Sequence, residues 1–127
     1  MAWNGRPFPK KGESKYHNKK VEYEGMVFDS KKELKRWQEL RILQRTGHIQ
    51  NLRRQVPFEL LPYQKVTNPV THITTTERAV KYIADFVYDD RASGQVVVED
   101  AKGIRTDTYK IKRKLMLERY GIAIKEV

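Results

Sequence analysis

The residues whose types and spacing suit chemistry are Asp85, Asp100 and Lys102, with Glu33 as a fourth candidate. Val96-Val97-Val98 is a short β-branched run of the kind that fills a buried strand, and it ends in Glu99-Asp100-Ala101-Lys102. Side chains alternate along a strand, so Asp100 and Lys102 share one face and Glu99 takes the other. Asp85 lies in an upstream strand between Ile83 and Val87. An aspartate half buried between apolar neighbours is costly unless it is paired or bound to a cation. Two or three carboxylates beside a lysine suit a hard, oxygen-preferring ion such as magnesium, with manganese able to substitute. Such an ion lowers the pKa of a bound water and offsets phosphate charge, and the lysine can orient that water. Each residue also has a plainer explanation: a surface strand charge for Asp85, a solvated turn for Lys102, and a helix cap for Glu33.

The elements that must position these groups are legible from pattern. Val21-Glu22-Tyr23 and Met26-Val27-Phe28 flank Glu24-Gly25 and predict a hairpin. Ser30 followed by Glu33 predicts a capping box opening a helix to about Arg45, with Leu34, Trp37, Leu40 and Leu43 as its buried stripe and Thr46-Gly47 as its stop. Ile49 to Leu61 predicts one strand, and Pro57 inside it argues for an edge position or a bulge. Tyr63 to Glu77 reads as a loop or a poorly specified edge hairpin. Ala79 to Tyr88 is a strand with Val80, Tyr82, Ala84, Phe86 and Tyr88 on one face and Lys81, Ile83, Asp85 and Val87 on the other. Asp89 to Gly94 is a polar turn that returns the Val96 strand antiparallel. Thr106-Asp107 caps a second helix to Tyr120, with Ile111, Leu115 and Glu118 along one face and Met116 and Leu117 widening it. Gly121 ends that helix, and Ile122 to Val127 alternates as a last strand.

The chain has 127 residues, a length that suggests one domain, and a net charge of +10. That charge favours a polyanionic partner, nucleic acid first. No long basic amphipathic helix or apolar span argues for a membrane, so the expected setting is intracellular. There is no cysteine, and His17, His48 and His72 lack zinc-ligand spacing. Residues 1–20 hold Arg6, Lys10, Lys11, Lys15, Lys19 and Lys20 against Glu13 alone, interrupted by Trp3, Phe8 and Tyr16. They are expected to form a flexible basic arm on phosphate, ahead of a folded domain over 21–127. A solvated tail is the plainer alternative. Lys110, Arg113 and Lys114 of the second helix add to the candidate nucleic-acid surface.

The order of these motifs resembles the PD-(D/E)xK nuclease superfamily: a helix acid, an aspartate late in a strand, then D-x-K on the next strand. FDSKKE, YIADF, VVVEDAKG and a closing YGI look like a phage and prophage family catalogued as a domain of unknown function. Phage Holliday-junction resolvases and the nuclease subunit of heteromeric transposases are more distant relatives. The resemblance covers about Tyr16 to Val127. It implies an α/β fold, a mixed central sheet flanked by helices in restriction-endonuclease-like αβββαβ order. It implies Asp85 and Asp100 as metal ligands, Lys102 as the catalytic lysine, Glu33 as a ligand directly or through water, and the Ala101 carbonyl completing the coordination. Ala84 stands where the superfamily name has proline.

The function expected on this basis is magnesium-dependent DNA endonuclease activity, selective for DNA shape such as a branched junction, in the cytoplasm of a bacterial host. A resolvase would need two active sites and hence a homodimer. The alternatives are a non-catalytic nucleic-acid-binding protein on a nuclease scaffold, and a site-specific or RNA-directed nuclease.

Overall fold

A computed structural model describes residues 19–101 and 105–127. The anticipated arm residues Arg6, Lys10, Lys11 and Lys15, and the anticipated catalytic Lys102, lie outside the described residues. Lys19 and Lys20 are described and exposed.

The chain opens with a hairpin, β1 (Val21–Tyr23) and β2 (Met26–Phe28). Its turn places Glu24 and Gly25 at φ 50° and 76°, the paired positive values that suit the twist of a tight hairpin. Helix α1 (Lys31–Arg45) follows. The Ser30 side chain accepts from the Glu33 N–H at 3.1 Å, and the Glu33 carboxylate accepts from the Asp29 N–H at 3.1 Å. The cap thus forms as expected, but Glu33 reaches one residue beyond Ser30.

The main sheet holds β3 (Ile49–Leu61), β6 (Val80–Asp90), β7 (Val96–Asp100) and β8 (Lys125–Glu126), in that spatial order. The first three are antiparallel, and β8 joins β7 in parallel. β3 is an edge strand, as Pro57 requires, because proline donates no ladder hydrogen bond. Between β3 and β6 a detached ribbon forms from β4 (Gln64–Thr67) and β5 (Thr74–Glu77). Helix α2 (Asp107–Tyr120) precedes β8, capped by the Thr106 hydroxyl and ended by left-handed Gly121 at φ 68°. With the two small hairpins set aside, the order is helix, three strands, helix, strand. The fold is α/β with a mixed central sheet, as expected.

Two apolar clusters sit on the sheet. Leu40 of α1 packs with Ile49, Phe86, Tyr88 and Ala101, with Trp37 and Leu43 beside them. Met116 of α2 packs with Leu60, Tyr82, Ala84, Val87, Val98 and Ile124. Neighbouring Val97 and Val98 divide between the two clusters, as alternation along a strand demands.

Three expectations need correction. First, the faces of β6 are not constant: Tyr82 and Ala84 join the α2 cluster, but Phe86 and Tyr88 join the α1 cluster. β3 switches in step. Val56, Phe58 and Leu60 belong to the α2 side, whereas Leu52 belongs to the α1 side, and Arg54 stacks 4.1 Å over Phe28. The switch falls at Gln55, whose φ of 53° is left-handed, and opposite it at Asp85, between the pairs Arg54–Phe86 and Val56–Ala84. A left-handed residue turns the strand about its axis, and the paired strand follows. Asp85 therefore stands at the turn instead of sharing a face with Ile83, which is exposed, and Val87, which is buried. Second, α2 buries Met116 and partly Tyr109 and Leu115, while Ile111, Leu117 and Glu118 are exposed. Tyr109 and Met116 are seven apart, two full turns, and that stripe outweighs the one through Ile111. Third, the last strand is only Lys125–Glu126; Ile122 and Ile124 still pack inward.

Candidate active site

β6 and β7 last pair at Phe86–Glu99, and beyond it they part, with Asp100 pairing to Glu126 of β8. Asp85 and Asp100 flank the mouth of this fork. The Ala101 N–H donates to Asp85 Oδ2 at 2.8 Å and ties the fork together. The Tyr82 hydroxyl donates to Asp100 Oδ2 at 2.7 Å. Neither aspartate is without a partner. Glu33 comes from the first turn of α1. Its Oε1 accepts from the Gln55 amide at 3.2 Å, and Arg54 lies 3.9 Å from the same oxygen.

All three acids are buried: Glu33 is 3% exposed, Asp85 1% and Asp100 3%. Burial pushes the Glu33 carboxyl up to about 7, and the Asp85 charge adds to the rise, while the Asp29 N–H opposes it. Tyr82 is raised well above the ordinary phenol range, first by burial and then by its bond to Asp100. Its hydroxyl thus stays a donor to that carboxylate. The Asp85 charge reaches Glu33, and Asp85 and Asp100 stand at the fork, with Gln55, the Ala101 amide and Tyr82 holding Glu33, Asp85 and Asp100 in turn.

Glu99 takes the other face, as its parity requires. It is fully buried and receives the Arg36 guanidinium through two hydrogen bonds of 2.7 Å, with the Tyr88 hydroxyl as a further donor. This bidentate pair joins α1 to β7 three residues from Glu33 and one from Asp100.

The donor set is carboxylate and peptide oxygen, with no thiolate or imidazole, and that chemistry fits a hard divalent cation. Among the described residues, no three His, Asp or Glu side chains are already assembled to hold an ion. Of the anticipated phosphate contacts, Lys110 and Lys114 are exposed on α2. Arg113 is held by Glu126 at 2.7 Å, and Arg105 also binds that carboxylate. Lys31, Lys32 and Lys35 are exposed on α1 around Glu33, a basic surface that the sequence reading did not single out. No helix among the described residues is long and apolar enough to cross a membrane.

Tyr82, Gln55 and Arg36 were not anticipated. Tyr82 reads as one more core aromatic, and Arg36 as one of many basic residues on a charged helix. Polar atoms in an alternating strand offered the only cue for Tyr82 and Gln55. No curated protein and no solved structure matches the chain. The family model described as "Protein of unknown function (DUF1064)" matches residues 13–125, so the chain belongs to that family.

Proposed function

We propose that this protein is a divalent-metal-dependent DNA endonuclease. The observation that carries the reading is the burial of Glu33, Asp85 and Asp100 around the β6–β7 fork, with Glu33 raised to about 7 partly by the Asp85 charge. Carboxylates crowded out of water repel one another, and a cation between them relieves both costs. Glu33, Asp85, Asp100 and the Ala101 carbonyl would hold magnesium, with manganese as a substitute. When bound, that ion supplies charge neutralisation at the phosphate and an acidified water. Tyr82 holds Asp100 in place, and the Ala101 amide holds Asp85. Lys102 would orient or deprotonate the attacking water, as the superfamily resemblance implies. Exposed Lys19, Lys20, Lys110 and Lys114 would bind the DNA backbone, together with the basic N-terminal segment. Branched DNA is the proposed substrate, and a homodimer the proposed form on a junction.

A non-catalytic DNA-binding protein is the second reading. It is favoured by the acids already engaging Tyr82, Gln55 and backbone amides with no ion-holding group assembled among the described residues. Incubation with labelled linear, nicked and four-way DNA separates the two. Cleavage with magnesium that stops in EDTA supports the enzyme. Tight binding without cleavage in magnesium or manganese refutes it.

A further inference from the structure

The β4–β5 ribbon takes no part in the proposed site. All eight of its strand residues are exposed, and neither strand packs broadly on another described element. Its turn is locally braced. Asn68 Oδ1 accepts from the N–H groups of Val70 at 2.8 Å and Thr71 at 3.1 Å, and the Asn68 N–H donates to the Ile73 carbonyl at 2.9 Å. The bracing holds Val70, 83% exposed, and Ile73 outward at the tip. Directly paired residues share a face. Lys65 pairs with Thr76 and Thr67 with Thr74, so one face carries a lysine and three threonines and no acid. The Thr67 and Thr74 hydroxyls are 2.9 Å apart. Arg78 and Lys81, both exposed, follow at the stem.

We propose that this ribbon is a DNA-binding arm. The Lys65, Thr67, Thr74 and Thr76 face lies against phosphates, and the Val70–Ile73 tip makes apolar contact with base edges. A two-stranded ribbon is narrow enough for the major groove, and apolar tips are a recurring device against base steps. Charge selects the occupant. A second copy would bring another +10 chain to a ribbon with a basic stem, whereas duplex or branched DNA is complementary to it. The arm rests on the DNA reading above and adds to it a contact surface on elements other than those of the fork.

The test is fluorescence anisotropy of the full chain on a labelled four-way junction in EDTA, which separates binding from cleavage. Val70→Ser with Ile73→Ser should weaken binding roughly tenfold, the size of one lost base contact. Lys65→Ala should make the salt dependence shallower by about one phosphate contact. All three positions are exposed, and the far-ultraviolet circular dichroism of each variant should match the parent. Unchanged affinity and salt slope in variants of a parent that binds DNA would overturn the arm and leave the DNA reading standing. A parent that binds no DNA at low salt would overturn both. A parent dimer that becomes monomeric on Val70→Ser with Ile73→Ser would assign the tip to a second copy, against the proposal.

Discussion

Glu33→Gln gives a clear test of the crowded acids. The folded Glu33 carboxyl is raised from 4.5 to about 7, by burial first and the Asp85 charge second. A raised folded pKa means that the native state holds a proton which the unfolded state releases. Stability from this group is therefore fully present below pH 4.5 and is lost as pH climbs through about 7. The full shift corresponds to roughly 3 kcal/mol at most. Glutamine keeps the shape and cannot ionise. Its carbonyl can still accept from the Asp29 N–H, and imperfect repairing to Gln55 offsets about 1 kcal/mol. In EDTA, Glu33→Gln should then match or slightly trail the parent at pH 4.5 and exceed it by roughly 1–2 kcal/mol at pH 8. Urea unfolding at a series of pH values reads this directly. Magnesium should invert the order at pH 8, because an ion bound to the native parent stabilises it by mass action and the variant lacks one ligand. A parent and variant with parallel pH dependence would refute the claim that Glu33 is strained by its neighbours.

Tyr82→Phe removes one donor to Asp100 and should cost about 1–2 kcal/mol by chemical denaturation, because a buried carboxylate loses a hydrogen bond. Arg36→Ala should cost roughly 3 kcal/mol, since fully buried Glu99 loses its bidentate partner and keeps the Tyr88 hydroxyl and Lys125 at 4.0 Å, whereas Arg36→Met with Glu99→Leu should recover much of that loss; a mild effect of Arg36→Ala would show the pair to be unimportant. DNA binding should weaken with salt at a slope of about −5 in log–log form if roughly six phosphates are contacted, and removal of residues 1–15 should make the slope shallower. An unchanged slope would remove the N-terminal segment from the interface.

Much of the scaffold was legible because local signals and burial agree. The Glu24-Gly25 turn, the Ser30 cap, the Pro57 edge strand and the left-handed Gly121 stop all carry residue types whose backbone preferences match their places. Asp85, Asp100 and Glu33 were singled out by type, spacing and order, and the fold buries all three, with Asp85 and Asp100 beside the β6–β7 fork. What was not legible depends on tertiary geometry. Gln55 is not a residue that advertises a positive φ, so the shared turn of β3 and β6 left no trace in the alternation. The α2 stripe was misplaced because Tyr109 carries a hydroxyl and Ile111 does not, yet it is Tyr109, Leu115 and Met116 that pack on the sheet cluster. The ribbon was half seen: threonines favour strands, but nothing apolar on either strand beyond Val66 tells which face would be buried, and neither is.

The central claim, that the acids at the fork cut DNA, is tested most directly by Asp85→Asn and Asp100→Asn on one four-way junction substrate, with cleavage and binding measured on the same preparations. Each variant nearly preserves shape and removes a proposed metal ligand. Both should lose magnesium-dependent cleavage while binding the junction as tightly as the parent or more so, because carboxylate–phosphate repulsion falls. Cleavage at the parent rate by either variant, or cleavage by the parent that persists in EDTA, would contradict the assignment of the site.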